Sequence, residues 1–326
     1  MEKQQEYWGT LPALYFFLAA MAAMMVIIVA VTELLGMQIA AEINGWVNII
    51  SLVVAGAGSL LLLIELTHKS RGYLVNCRPF TSVMSFGSVV QSLFISLVLM
   101  YATFFFAFIP WAAVSWLKQV IAVLVIITAL LYVVYPGIEL GEAKGRAFWN
   151  GGGLVAVFLI NGAVTGTGAL LLVLLALGYA GHFYTAVIRG LAAGCLVLQL
   201  LTVPGYVAGM KLSSAAEARR GAMQLWSGAF AQSFWIGVVI VGTVAPLVLN
   251  LVFSSAFSLI IAAGLALVGG IFFRIDFLRA AVRITLPGEE RPEISYKEIA
   301  QLASSLETRW QDKARWLSCK SKRTGV

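Results

Sequence analysis

Long uncharged apolar runs, broken by short polar segments, dominate the chain. Each run is long enough to cross a bilayer as a helix, which takes about 20 residues. The breaks gather the Gly, Pro, Asn and charged residues that end helices. Read against those breaks, the runs predict eight spans, at about 11–35, 45–67, 82–108, 116–139, 150–177, 183–209, 223–250 and 255–280. The first run, Leu11 to Thr32, is longer than the core of a signal peptide. It follows "MEKQQEYWGT", which is not a basic leader, so it is expected to stay as the first span. The expected fold is therefore all-α: a polytopic membrane protein with two four-helix halves, residues 1–145 and 146–283, and a tail, 284–326. In the tail, Ser295 can cap an amphipathic helix in which Ile299, Leu302, Leu306, Trp310 and Leu317 recur near helical spacing. Such a helix suits either a membrane surface or a partner subunit.

Composition agrees with the pattern. Sixty per cent of residues are hydrophobic and 11% are charged, where a soluble domain has about a quarter charged. Charge then decides orientation. Of the 22 Lys and Arg, all but Lys118 and Arg189 fall in segments on the side of both termini. The positive-inside rule therefore predicts cytoplasmic termini, in a multi-pass protein of the cell (inner) membrane. The formal charge of +7 reports topology and contact with anionic lipid rather than nucleic acid. Glycine-rich pieces such as "NGAVTGTGA" (161–169) lie inside spans, without the strand–turn–helix setting of a dinucleotide loop. They suit close helix packing, Gly162 and Gly166 above all.

Candidate redox ligands are few. His68 lies at the end of the second span and His182 in a loop on the other side, so a bilayer separates them and they cannot share one haem iron. Cys77, Cys195 and Cys319 stand far apart, with no cluster spacing. No Cys or His group suits a metal site. The expectation is a chain with no haem and no bound metal.

Against this background "IELTHKSRGYLVNCRPFTSVMS" (64–85) stands out. It places Glu65, His68, Lys69, Arg71 and Arg78 close together between two apolar runs. Four span ends meet at this face, bringing Tyr7, Trp8 and Tyr15; Glu65 and His68; Arg78, Ser82 and Ser85; and Tyr135, Glu139 and Lys144. Ionisable residues at the edge of the apolar zone are functional candidates, because burying them is costly. An unperturbed histidine has a pKa of about 6.5, which makes His68 a candidate carrier of a proton. Glu65 can equally pair with a loop cation. Glu139 follows Tyr135-Pro136-Gly137, which predicts a turn or kink. Lys69, Arg71, Arg78, Lys144 and Arg146 read as topology-setting cations that meet lipid headgroups or a partner. Glu33, Gln91, Lys118, Asn161, Thr165, Thr167, Arg189, Gln199 and Gln232 are scattered through the spans. Helix–helix hydrogen bonding explains most of them, and a proton route is the other reading.

Two segments carry a resemblance. "LTHKSRGYLVNCRPFTSVMSFGSVVQ" (66–91) is similar to the loop signature of the NrfD/PsrC family, and "YPGIELGEAKGRAFWN" (135–150) to a second motif of that family. "PALYFFLAAMAA" (12–23) resembles its opening helix and "FFRIDFLRA" (272–280) its closing one. The resemblance implies a haem-free membrane subunit of a respiratory oxidoreductase, with a quinone site in the first four helices. Electrons would pass between menaquinone or ubiquinone and an iron–sulfur, ferredoxin-like partner, wired to a catalytic subunit that is often a molybdopterin enzyme. It also implies that Tyr135 bonds a quinone oxygen, that Ser82 and Ser85 match the serines of the loop motif, and that His68 and Glu65 sit near a polar pair. Departures are visible: His68-Lys69 replaces the usual Arg-Pro, Pro136 replaces a common Thr, and no Asn or His precedes Asn44. The proton donor is then expected among Glu6, Tyr15, Glu65 and His68. Two other readings stand beside this one: an ion or solute transporter built on the intramembrane polar residues, and a purely structural anchor.

Overall fold

The structure is a computed structural model that describes residues 9–37, 41–65, 82–106, 108–283, 304–311 and 313. Nine helices fill the described part of residues 1–283, and no strand occurs among the described residues. They are α1 (Thr10–Leu34), α2 (Ala41–Glu65), α3 (Val83–Thr103), α4 (Ser115–Glu142), α5 (Leu154–Ala176), α6 (Phe183–Lys211), α7 (Ala216–Trp226), α8 (Ser233–Val252) and α9 (Ala256–Arg279). All but α7 are long and apolar enough to cross a membrane, giving the eight expected spans. Short 3-10 turns at Pro110–Ala113 and Ala147–Asn150 precede α4 and α5.

Two boundaries differ from the sequence reading. The seventh span begins at Ser233 rather than near 223, because residues 216–226 form a helix of their own. That helix buries only Ala218, Gly221, Ala222 and Leu225, and leaves Arg219 and Arg220 exposed. The apolar letters of "GAMQLW" thus belong to one face of a surface helix and not to a span. The fourth span continues as helix through Pro136 to Glu142, so no turn ends it at Tyr135-Pro136-Gly137. Proline removes one N–H from the ladder without ending it. Gly137 holds this stretch against α5, since a Cβ there would come within 2.9 Å of the Val155 Cα.

Close approach explains how apolar helices find their neighbours. In a bilayer the hydrophobic effect does not drive helices together, so packing through small residues does. On α5, a Cβ at Gly166 would lie 2.3 Å from Met24 Cβ of α1, and one at Gly162 would lie 3.2 Å from Ala20 Cβ. Helix α1 packs against α2, α4, α5 and α9, and α5 against α1, α4, α6 and α9, so these two form the buried axis. Helix α3 lies outside, against α2 and α4. In α8 the first twelve residues, Ser233–Val244, are π-helical, and ordinary α-helix follows from Ala245.

Cross-helix bonds define two faces. Thr10 at the start of α1 meets Arg279 at the end of α9, and Tyr206 late in α6 donates to the Phe148 carbonyl just before α5. We call this the proximal face. At the distal face Glu33, late in α1, meets Lys118 early in α4, and Arg189 of α6 meets Asn250 of α8. The tail, Ile284–Val326, is a separate unit in which residues 304–311 are helical.

Candidate functional site

At the proximal end of α1–α4, three helices bury polar side chains together. Tyr15 of α1 is 3% exposed and its hydroxyl donates to Gln91 Oε1 of α3 at 2.9 Å. Gln91 Nε2 in turn donates to Ser59 Oγ of α2, and Ser59 donates to the Ala55 carbonyl at 2.8 Å. On α4, Tyr132, Tyr135 and Glu139 recur at i, i+3 and i+7, which places them on one face. The Tyr132 ring lies 6.5 Å from that of Tyr15 and 5.1 Å from that of Phe94. Its hydroxyl is buried with no hydrogen-bond partner among the described residues. Tyr135 and Glu139 lie within interaction reach of each other, and both lie within reach of Tyr15.

Glycine positions Tyr135. A Cβ at Gly87 of α3 would fall 1.9 Å from Tyr135 Cζ, so the phenol lies flat on the α3 backbone. Gly87, Gln91 and Phe94 fall at i, i+4 and i+7 and form the α3 wall of the site. Glu139 is half-buried, and it opens the cluster toward the proximal face.

The structure therefore brings together Tyr15, Tyr135 and Glu139 of the residues picked from sequence. Ser82 caps α3 with a long, 3.5 Å contact from the Ser85 N–H. Ser85 is buried, but two residues from Gly87 it lies on another face of α3 than the site wall. Glu65 is the last residue of α2, and its side chain lies outside what is described, as do His68, Lys69, Arg71 and Arg78. Lys144 is exposed. Arg146 instead ties the bundle: its Nη1 donates to the Ala281 carbonyl at 2.8 Å, and the guanidinium lies 5.3 Å from the Trp149 ring. Burial, and then nearby Arg283, lower its pKa from the usual arginine value. Trp149 adds a bond from Nε1 to the Phe277 carbonyl.

Four site residues were not picked from sequence as belonging here: Ser59, Gly87, Gln91 and Tyr132. Gly87 and Gln91 share a face, and Tyr132 shares one with Tyr135, so helical spacing from the chosen residues is the signal that finds them. Most of the other intramembrane polar residues pair across helices. Asn161 donates to Gln199, and Gln199 to Thr243; Arg189 donates to the Asn250 and Phe253 carbonyls.

Chemically, the cluster offers phenol hydroxyls, an amide and a carboxyl beside an aromatic wall. It can hydrogen-bond acceptor atoms of a flat apolar ring and hold a proton next to them. No group of three or more His, Cys, Asp or Glu able to hold a metal occurs among the described residues.

A family model described as polysulphide reductase, NrfD, matches residues 1–285. No curated protein matches the chain. With that match covering all eight apolar helices, the chain belongs to the NrfD (polysulphide reductase) family, the membrane subunits of polysulphide- and nitrite-reductase-type complexes.

Proposed function

We propose that this chain is the quinone-interacting membrane subunit of a respiratory oxidoreductase, exchanging electrons between the membrane quinone pool and an iron–sulfur partner. The partner would connect to a catalytic subunit of the molybdopterin type. The observation that carries the reading is the buried meeting of Tyr15, Gln91, Tyr135 and Glu139 at the proximal end of α1, α3 and α4. A quinone, either menaquinone or ubiquinone, supplies a two-electron, two-proton couple that no side chain of this protein offers.

The chain's own residues do the rest. Tyr135, fixed on Gly87, donates a hydrogen bond to a carbonyl oxygen of the ring. Tyr15 donates to a second acceptor by turning from Gln91, whose amide remains held by Ser59. Glu139, half-buried beside Tyr135, holds or passes a proton. Phe94 and Tyr132 wall the cluster and exclude water. Residues 1–145 then form the quinone-binding half and 146–283 the supporting half. The basic loops of the proximal face, with Lys144 exposed, support a cytoplasmic placement of that face and docking of the partner there.

Tyr135→Phe tests this directly, because it deletes one oxygen and keeps the ring on Gly87. A lost transition-state hydrogen bond of about 1.4 kcal/mol is a tenfold effect. Quinol-dependent turnover of the purified complex should fall roughly tenfold or more, with partner subunits retained at wild-type ratio. Unchanged turnover in an intact complex would count against the site.

A further inference from the structure

The tail, Ile284–Val326, lies almost wholly beyond residues 1–285 that the family model matches, so its role has to come from its own residues. Residues 304–311 form a helix of about two turns. Leu306 and Trp310 fall at i and i+4, on one face. They are 49% and 71% exposed, an apolar face that no described residue covers. Lys313, at i+7 from Leu306, continues that face and holds its ammonium 5.9 Å from the centre of the Trp310 ring. The opposite face carries Ser304, Thr308 and Gln311, and the Thr308 hydroxyl donates to the Ser304 carbonyl at 2.6 Å. In sequence, Ile299, Leu302 and Leu317 keep the apolar spacing on either side.

Charge divides the tail in two. Before Arg309, five glutamates outnumber Arg291 and Lys297. From Arg309 onward, Arg309, Lys313, Arg315, Lys320, Lys322 and Arg323 stand against Asp312 alone. The apolar face thus continues into a strongly basic end. Apolar side chains rimmed by cations match a lipid surface, where the first enter the acyl boundary and the second meet phosphates. Trp310 and Lys313 suit that boundary individually, because each has an apolar body and a polar tip.

Connectivity favours lipid over the other surfaces within reach. Helix α9 is a span that ends at Arg279 on the proximal face, so the tail leaves the bundle at a bilayer surface. Only 24 residues separate Arg279 from Ser304, which keeps the helix at high effective concentration over that surface. The bundle's own proximal face exposes Lys144, Arg219 and Arg220, which repel a basic helix.

We propose that the tail helix is a membrane-surface anchor selective for anionic phospholipid. Leu306 and Trp310 sink into the acyl boundary, Lys313 reaches back to the headgroups, and the basic end from Arg309 onward sits on lipid phosphates. The glutamate-rich stretch before it is repelled by the same surface and stays in water as the connecting segment. Attachment is electrostatic as well as apolar, so salt and lipid charge both tune it. This role does not depend on the quinone reading.

The whole chain in lipid nanodiscs, without partner subunits, tests it. With the three native cysteines replaced by serine, a nitroxide is attached at Leu306→Cys or at Thr308→Cys. Both positions are exposed, so neither label has packing to break. Oxygen, which concentrates in lipid, and a water-soluble nickel chelate report the depth of each label. In discs rich in phosphatidylglycerol the oxygen-to-nickel ratio at 306 should exceed that at 308 roughly tenfold. The contrast should fall to roughly a third or less in phosphatidylcholine discs, and also in about 1 M salt, where charges are screened beyond about 3 Å. Equal ratios at 306 and 308 in phosphatidylglycerol overturn the anchor. A contrast equally large in phosphatidylcholine overturns its selectivity for anionic lipid. A label at 306 that is shielded only after partner subunits are added gives the face to a protein and overturns the proposal.

Discussion

Gly87 decides where the Tyr135 hydroxyl sits. Any side chain there would enter the phenol ring, with Cβ 1.9 Å from Cζ, and the α3 backbone behind it leaves the ring to move. Gly87→Ala should therefore cost about 1–3 kcal/mol through overpacking. It should also displace Tyr135 enough to lower quinol turnover at least as far as Tyr135→Phe does. Thermal unfolding and turnover of the same preparation measure both. The residue scale is also where the sequence was most uneven. Tyr15, Tyr135 and Glu139 were legible because a polar group at a span end stands out against an apolar run. Gly87 and Tyr132 were not, because a glycine and an aromatic are ordinary members of such runs, and only contact distinguishes them. Gln91 was visible as a polar residue but looked like helix glue, which it also is.

Elements were more readable than residues. Eight spans follow from run length alone, since crossing a bilayer needs a fixed rise, and α1 through α6 start and end within a few residues of expectation. The exception is instructive. Leu225 and Trp226 read as the start of a span, yet they close α7, a surface helix whose apolar residues occupy one side only. Run length does not distinguish a spanning segment from an amphipathic one placed directly before it. Helix α7 is held by close approach: a Cβ at Gly221 would come 2.9 Å from Phe148 Cβ and 3.0 Å from the Ala280 carbonyl. Gly221→Val should prise α7 away and lower the thermal midpoint by an amount matching about 1–3 kcal/mol. Gly209→Ala, with nothing within 4 Å of its Cβ, should leave the midpoint unchanged or raise it slightly.

For the molecule as a whole, neighbour relations were the least legible feature. Helix α1 is apolar almost all round and carries no face signal, so its letters do not say which helices it touches. Small residues give a partial hint, and Gly162 with Gly166 did mark the α1–α5 crossing. Gly166→Leu should block that crossing and greatly reduce the yield of folded protein in detergent, by size-exclusion profile. Gly264→Leu, with nothing within 4 Å, should not. The burial of α1 has a consequence for biogenesis. Helix α1 is made before the helices it packs against, α2, α4, α5 and α9, and its Thr10 is bonded to Arg279, 269 residues later. The part of α1 that faces α9 must wait in lipid, or in the care of the insertion machinery, until α9 is made. Helix α1 can therefore complete its packing only after α9 has been made.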